Sequence, residues 1–347
     1  MKTVFHTLTI LAMALLLAGC TPYQNMNPDA FERATEPASS CIVDVRTPEE
    51  FAEGHLPRAV NCDWKAEDFL AQMEAAYGKD APLYLYCRTG RRSAEAAEVL
   101  AKAGYKVYNM EGGIEAWKAA GKPVTRYDVE RFLTDGADPV DITLIKHGSL
   151  AINYKDVSIQ IDPVSKLGKP TDYAAEFPKA DVILITHEHG DHLDAEAIET
   201  LTNDNTLLFL NPASHEKIGW GDTMTNGEQR ALPEEILLEA VPAYNSTPGR
   251  ENFHPKGNGN GYVLTIDGLR IYIAGDTEDI PEMADLTDID VAFLPVNQPY
   301  TMTIEQCVNA TKTIRPKILI PYHFGQTDVS VLPGMLPETD VRLRQMQ

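Results

Sequence analysis

Residues 182–192, Val-Ile-Leu-Ile-Thr-His-Glu-His-Gly-Asp-His, carry an apolar run straight into a dense group of metal donors. A short apolar stretch bounded by a loop reads as a buried strand, whose end delivers the next residues to a sheet edge. His187 and His189 are two apart, so on extended chain both point to one side and can grip one cation. Asp191 and His192 come after the turn at Gly190 and can serve a second cation. Imidazole suits Zn, Fe and Mn, and added carboxylate shifts the preference towards harder ions. Burying three histidines and an aspartate unpaired would be costly, which argues for a metal centre over a structural cluster.

Working outward, the flanking chain is a succession of short β segments: 142–145, 150–154, 157–161, 206–209, 236–241, 262–266, 270–274, 291–295 and 317–321. Lys155-Asp156 marks a hairpin turn. Helical patterns fall between several of these segments, which predicts two packed sheets covered by helices over residues 141–347.

This segment resembles the metallo-β-lactamase superfamily over most of residues 141–323, which implies an αββα sandwich. The resemblance implies further roles in order along the chain. Asp162 in Ile-Asp-Pro braces the metal loop, Asp276 in Ala-Gly-Asp-Thr bridges two metals, and His323 in Pro-Tyr-His-Phe-Gly is the last histidine ligand. Lys-His-Gly-Ser-Leu at 146–150 and Pro-Tyr-Thr-Met-Thr at 299–303 are similar to the branch of ascorbate-6-phosphate lactonase-like hydrolases. That places His147 near the pocket as a substrate-binding residue. The implied cofactor is two divalent ions, Zn or Mn, with Fe as an alternative, held by His187, His189, Asp191, His192, Asp276 and His323. A bound water made acidic by metal would attack an ester, lactone, amide or phosphodiester, with Asp191 or Asp276 helping to position it. One element departs from the pattern. The superfamily usually supplies another histidine before the bridging aspartate, but here Val-Pro-Ala-Tyr-Asn at 241–245 has none. The nearest is His254, in Asn-Phe-His-Pro-Lys-Gly-Asn-Gly-Asn-Gly-Tyr, residues 252–262. Spacing alone leaves His254 open as a ligand, a substrate contact or a loop cap, and leaves a mononuclear site open as well.

The chain before this segment has a different texture. Residues 41–124 alternate strand-like patterns at 41–45, 83–86 and 106–108 with a helix at 92–103, which predicts a parallel α/β sheet with helices on both faces. Cys87 ends the second of these strands and opens Cys-Arg-Thr-Gly-Arg-Arg-Ser, residues 87–93. Curled loop amides, a helix N-terminus and three arginines all favour thiolate over thiol. With Asp-Val-Arg-Thr-Pro-Glu-Glu-Phe-Ala-Glu-Gly-His-Leu-Pro-Arg-Ala-Val-Asn at 44–61 and Asn-Met-Glu-Gly-Gly-Ile-Glu-Ala-Trp-Lys-Ala-Ala-Gly-Lys-Pro-Val at 109–124, the segment resembles a rhodanese domain. Arg58 stands where that family commonly has glycine. The resemblance implies that Cys87 accepts sulfur as a persulfide, that Arg88 and Arg92 assist catalysis, and that Thr89, Gly90 and Arg91 hold the substrate. Only four residues separate Cys87 from Arg92, where related phosphatases have five, so sulfur transfer is favoured over phosphate hydrolysis. Asp44 and Arg46 are expected to brace the site, and His55 to make structural hydrogen bonds. The cysteines beyond the N-terminal segment, Cys41, Cys62, Cys87 and Cys307, fit no zinc knuckle, and no disulfide framework is expected.

At the N-terminus, Lys2, an apolar run at 8–17 and Leu-Ala-Gly-Cys at 17–20 resemble a bacterial lipoprotein signal. Residues 1–19 are expected to be removed and Cys20 lipidated, anchoring an exported protein to a cell-envelope membrane, facing the periplasm or the surface. Residues 20–40 read as a tether and 125–140 as a linker between domains. A formal net charge of −21 over 347 residues argues against nucleic acid as a partner. The expected function is a lipid-anchored enzyme that transfers sulfur from a sulfane-sulfur donor and hydrolyses a small metabolite. A persulfide dioxygenase with mononuclear iron and a non-catalytic sulfur-sensing or partner-binding module are the alternatives.

Overall fold

The computed structural model describes residues 22–344 and Met346. The signal segment and Cys20 lie outside the described residues. The chain divides into two units, one made of the described residues through Thr35, Ser40–Pro48 and Asn61–Ala120, the other of Glu36–Ser39, Glu49–Val60 and the chain from Gly121 onward.

In chain order the first part contains β1 (Gln24–Met26), α1 (Pro28–Thr35), β2 (Cys41–Asp44), α2 (Pro48–Ala52), β3 (Val60–Asn61), α3 (Phe69–Ala76), β4 (Leu83–Tyr86), α4 (Arg91–Lys102), β5 (Val107–Met110) and α5 (Gly113–Ala119). The strand order is β1-β5-β4-β2-β3. Every residue of β4 is buried, as a central parallel strand covered on both faces requires. Helix α4 buries Ser93, Ala96, Ala97 and Leu100, one stripe at helical spacing.

The tether expected at 20–40 is corrected here. Residues 24–26 pair in parallel with β5, and α1 begins two residues later. Phe31 of α1 is fully buried, edge-on to Tyr84 at 5.8 Å and to Trp117 at 6.4 Å. A short polar edge strand and a helix with one aromatic anchor leave little hydrophobic periodicity to read.

The second part begins earlier than 141, which corrects the linker expected at 125–140. Strand β6 (Asp128–Leu133) pairs antiparallel with β7 (Pro139–Lys146), and Asp-Gly-Ala-Asp between them is a hairpin connection. Next come β8 (Ser149–Tyr154), β9 (Val157–Ile161), α6 (Tyr173–Glu176), β10 (Val182–Ile185), α7 (Ala195–Leu201), β11 (Leu207–Leu210), α8 (Pro212–Ile218) and β12 (Asp222–Thr223). These strands make one sheet, ordered β12-β11-β10-β9-β8-β7-β6. Tyr154 pairs with Val157, closing the expected hairpin at Lys155-Asp156. The other sheet holds β13 (Gln229–Ala231), β14 (Leu237–Ala243), β15 (Gly259–Ile266), β16 (Leu269–Ile273), β17 (Val291–Pro295), then α9 (Ile304–Ile314), β18 (Ile318–Tyr322), α10 (Leu332–Met335) and β19 (Asp340–Val341). Its strands run in sequence order.

Alternation along each strand sorts side chains between two layers. Ile152, Ile159 and Leu184 of one sheet meet Leu264, Ile271 and Phe293 of the other in the inter-sheet core. Ile183 and Ile185 turn outward beneath Ile198 and Leu201 of α7, while Ala292 and Leu319 pack with Val308 and Ile314 of α9. Helix, sheet, sheet, helix is the expected αββα sandwich. No helix among the described residues is long and apolar enough to cross a membrane.

Candidate active sites

Cys87 directly follows β4 and is buried. Ser93 Oγ lies 3.5 Å from its sulfur as a donor. Burial pushes the thiol up, but the Ser93 hydroxyl and the backbone N–H groups of Ser93, Thr89 and Gly90 outweigh it, and the net shift is downward. The loop is held from below by the start of α5. Ile114 N donates to Cys87 O at 2.9 Å, and a Cβ on Gly113 would meet that same oxygen at 2.3 Å, so only glycine permits the approach. Arg46 makes a buried double hydrogen bond to Asp44, and Asn61 Nδ2 donates to both backbone carbonyls. His55 bonds the carbonyls of Phe51 and Tyr127. Arg88, expected to assist catalysis, lies at the start of the same loop. Its side chain is 68% exposed and pairs with Glu115 at 2.7 Å. Arg91 is exposed and Arg92 half-buried.

The second cluster assembles at the carboxyl ends of strands. Asp162, one residue beyond β9, accepts from Thr186 N at 2.7 Å and Thr186 Oγ1 at 2.6 Å, and faces His192 Nδ1 at 2.7 Å. Thr186 Oγ1 in turn lies 3.0 Å from His187 Nδ1. Both histidines are therefore gripped by Nδ1, leaving Nε2 for the site. Gly148 makes room for His192, since a Cβ there would sit 2.6 Å from His192 Cε1.

Asp276 occupies the middle. Its Oδ1 is 3.3 Å from His192 Nε2, and its Oδ2 is 3.2 Å from His254 Nε2, 3.3 Å from His323 Nε2 and 3.9 Å from His187 Nε2. On one side stand His187, His189 and His254; on the other stand Asp191, His192 and His323, joined by His147. Within each group the donor atoms lie within 4.8 Å of one another. The Nε2 atoms of His187, His192, His254 and His323, and Oδ1 of Asp276, are buried without a hydrogen-bond partner among the described residues. Leaving so many buried polar atoms bare is expensive, and cations coordinated by them would remove that cost.

For His187 and Asp276 the electrostatics hold the coordinating form. Burial would lower His192, but the Asp276 and Asp162 carboxylates overcome it and hold that imidazole well above its usual range. Burial, helped by His192 nearby, holds His187 well below the usual imidazole range, in the neutral form that coordinates. Burial pushes the Asp276 carboxyl up, but His323 and His192 overcome this and hold it ionised. Asp162, His147 and His323 all have φ between +43° and +47°, an uncommon conformation for such residues that gathers here at the site.

A profile described as the Beta-lactamase superfamily domain matches residues 141–323, more than half of the chain. The chain belongs to the beta-lactamase superfamily. A Rhodanese-like domain profile matches residues 27–120. The chain is 32% identical over 195 residues to a UPF0173 metal-dependent hydrolase of Pyrococcus furiosus, covering 54% of this chain and 85% of the relative. A solved structure from Parabacteroides distasonis, named for metal-dependent hydrolysis, is 52% identical, with a TM-score of 0.61, covering 64% of this chain and all of its own. Igni18, a metallo hydrolase of Ignicoccus hospitalis, is 27% identical with a TM-score of 0.51, over 60% of this chain and 95% of its own.

Within this superfamily domain the structure assigns a place to the histidine the sequence left open. His254 hangs on the loop after β14, its Nδ1 lies 3.2 Å from the Tyr300 carbonyl and 3.3 Å from Asn245 Oδ1, and its Nε2 faces Asp276. That places His254 Nε2 among the donors of the His187–His189–His254 group, and the residue also lines the cavity beside them. Glu278, fully buried, anchors the same loop by accepting from Ser246 N and Thr247 N at 2.8 and 2.6 Å. His147 was expected to contact substrate outside the donor set. It lies 3.0 Å from Asp191 Oδ2, with its ring centroid 3.5 Å from that of His323. Sequence reasoning missed Glu188 as a clamp. Asn258 and Asn211 donate to its carboxylate at 2.9 and 3.1 Å, fixing the backbone between His187 and His189. It missed Phe253, Asn297 and Tyr300 as well, which line a cavity beside the donors. Loop residues of ordinary type carry no local signal for such closure.

Proposed function

We propose that the superfamily domain is a hydrolase working with two divalent cations, and that the rhodanese-like domain transfers sulfane sulfur through Cys87. The observation that carries the first reading is Asp276, whose two oxygens reach toward both donor groups at once. His187, His189, His254 and Asp276 would hold one ion; Asp191, His192, His323 and Asp276 the other. When bound, such a pair makes a coordinated water acidic near neutral pH and polarises the scissile bond. The chain's own residues do the rest. Asp162 and Thr186 fix the imidazoles with Nε2 inward, and His147, 3.0 Å from Asp191 Oδ2, positions that carboxylate.

For sulfur transfer, the Cys87 thiolate attacks the outer sulfur of a donor such as thiosulfate. The S–S bond breaks, sulfite leaves with the electron pair, and a persulfide remains. An acceptor such as cyanide then takes the terminal sulfur and returns the thiolate. The N-terminal lipoprotein-like segment supports export and lipidation at Cys20.

Metal analysis of protein purified without added ions is the deciding experiment. Two zinc or manganese ions per chain, with ester or lactone hydrolysis abolished by Asp276→Asn, support the hydrolase. One iron per chain, with oxygen uptake on glutathione persulfide, would replace it with a dioxygenase.

A further inference from the structure

Of the donors in the His187–His189–His254 group, His187 and His189 follow β10 directly, whereas His254 arrives on a separate loop. That loop runs Asn-Ser-Thr-Pro-Gly-Arg-Glu-Asn-Phe over residues 245–253, and before Phe253 its sole apolar side chain is the exposed Pro248. Apolar burial therefore cannot fix its course, and hydrogen bonds must. Asn245 N donates to His254 O at 2.9 Å and closes the base. The rising leg is held by Glu278, fully buried, whose Oε2 accepts from Ser246 N at 2.8 Å and Thr247 N at 2.6 Å, while Arg250 approaches Oε1 at 3.4 Å. Gln306 adds only a 3.4 Å bond to Thr247 Oγ1.

The central carboxylate comes from the same short segment, since Thr277 alone separates Asp276 from Glu278. Glu278 N donates to Tyr244 O at 3.0 Å, and Tyr244 N donates to Thr277 Oγ1 at 3.1 Å. Glu278 thus locks the loop to the strand end from which Asp276 reaches His254 Nε2 at 3.2 Å. The other donor group is built elsewhere: Asp191 and His192 follow β10, His323 follows β18, and Asp162 holds His192. Resting on the two-cation reading above, we infer that Glu278 is a positioning residue for one cation of the pair. It installs His254 as the donor that residues 241–245 lack, so loading of the His187–His189–His254 position depends on a carboxylate outside both donor groups, and loading of the other position does not.

Zinc binding to the full chain, measured by competition with a chromogenic chelator, tests this. Glu278→Leu removes the acceptor and should weaken one cation by about 10–100-fold while leaving the other unchanged. Glu278→Gln keeps an oxygen for the two amides but loses the charge, and should weaken the same cation by a smaller factor, about 3–10-fold. That variant decides the matter if Glu278→Leu does not fold. His254→Ala should weaken the same cation, and adding Glu278→Leu to it should cost nothing further, because both changes act on one donor. Equal weakening of both cations, no weakening, or losses that add overturns the inference. Two bound cations without ester or lactone hydrolysis sink the hydrolase reading and leave the role of Glu278 standing. A wild-type chain holding a single cation sinks the two-cation reading, and the inference then stands or falls on whether that cation weakens alike in Glu278→Leu and His254→Ala.

Discussion

The Asp162 carboxylate answers three donors and touches none of the inward-facing Nε2 atoms directly. Replacing it with asparagine preserves its size but turns one acceptor into a donor aimed at the Thr186 hydroxyl and the His192 Nδ1 edge. His192 then loses the partner that selects its tautomer. Asp162→Asn should weaken metal affinity by about 10–100-fold, measured by competition with a chromogenic chelator, while circular dichroism stays unchanged. An unaltered affinity would show that Asp162 is only scaffolding. Cys87 offers a second prediction at this scale. Its thiol is shifted below its ordinary value because the Ser93 hydroxyl and loop amides outweigh burial, so thiolate persists as pH falls below the usual thiol range. Thiocyanate formation should therefore lose rate on the acid side through a midpoint below 9, and Ser93→Ala should move that midpoint upward. Cys87→Ser should abolish the reaction. Cys62 and Cys307 cannot substitute, because burial pushes their thiols up to about 11 and about 12.

Strands buried on both faces were legible because they are rich in apolar, largely β-branched or aromatic residues and end at turns. Residues 83–86, 157–161 and 291–295 are predicted to the residue, and the loops after such strands carry Cys87, Asp162 and the His187–His192 cluster. Edge elements were not legible, since β1 is Gln-Asn-Met and β6, Asp-Val-Glu-Arg-Phe-Leu, is half charged without clean alternation, so both read as polar connection. His254 was half legible. Its residue type gave the candidate, but its position depends on Glu278 and Tyr300, 24 and 46 residues away in the chain, and no local pattern encodes that closure. One interior strand residue breaks its own pattern. Gln160 of β9 is fully buried on the helix-covered side, opposite Ala151 and Ile183, and both of its side-chain polar atoms lack a partner among the described residues. A buried amide left bare costs about 1–3 kcal/mol, and an apolar residue of the same shape removes that cost. Gln160→Met should raise the melting temperature of the superfamily domain by roughly 2–12 °C in calorimetry. A fall would mean that the amide has a partner, such as an ordered water, that the substitution displaces.

Among the described residues each unit has its own apolar core. Val43, Leu85, Met73 and Leu100 belong to a cluster drawn only from the rhodanese-like part, and three other clusters draw only on the superfamily domain. Separate cores make separate cooperative transitions, so calorimetry of the whole chain should resolve two. Metal separates them further, because the inward-facing donors gather only in the folded superfamily domain, and a ligand that binds the native state alone stabilises it by mass action. At free metal about 100-fold above the dissociation constant the gain is about 2.7 kcal/mol, which for a unit of this size raises its midpoint by roughly 5–10 °C. Stripping the metal with a chelator should lower one transition by that amount and leave the other in place. The Asp276→Asn variant should show the lowered transition already, with little further response to chelator. If both transitions move together, or neither does, the two units do not fold independently or the donor cluster binds no metal, and the Asp276→Asn profile tells these outcomes apart.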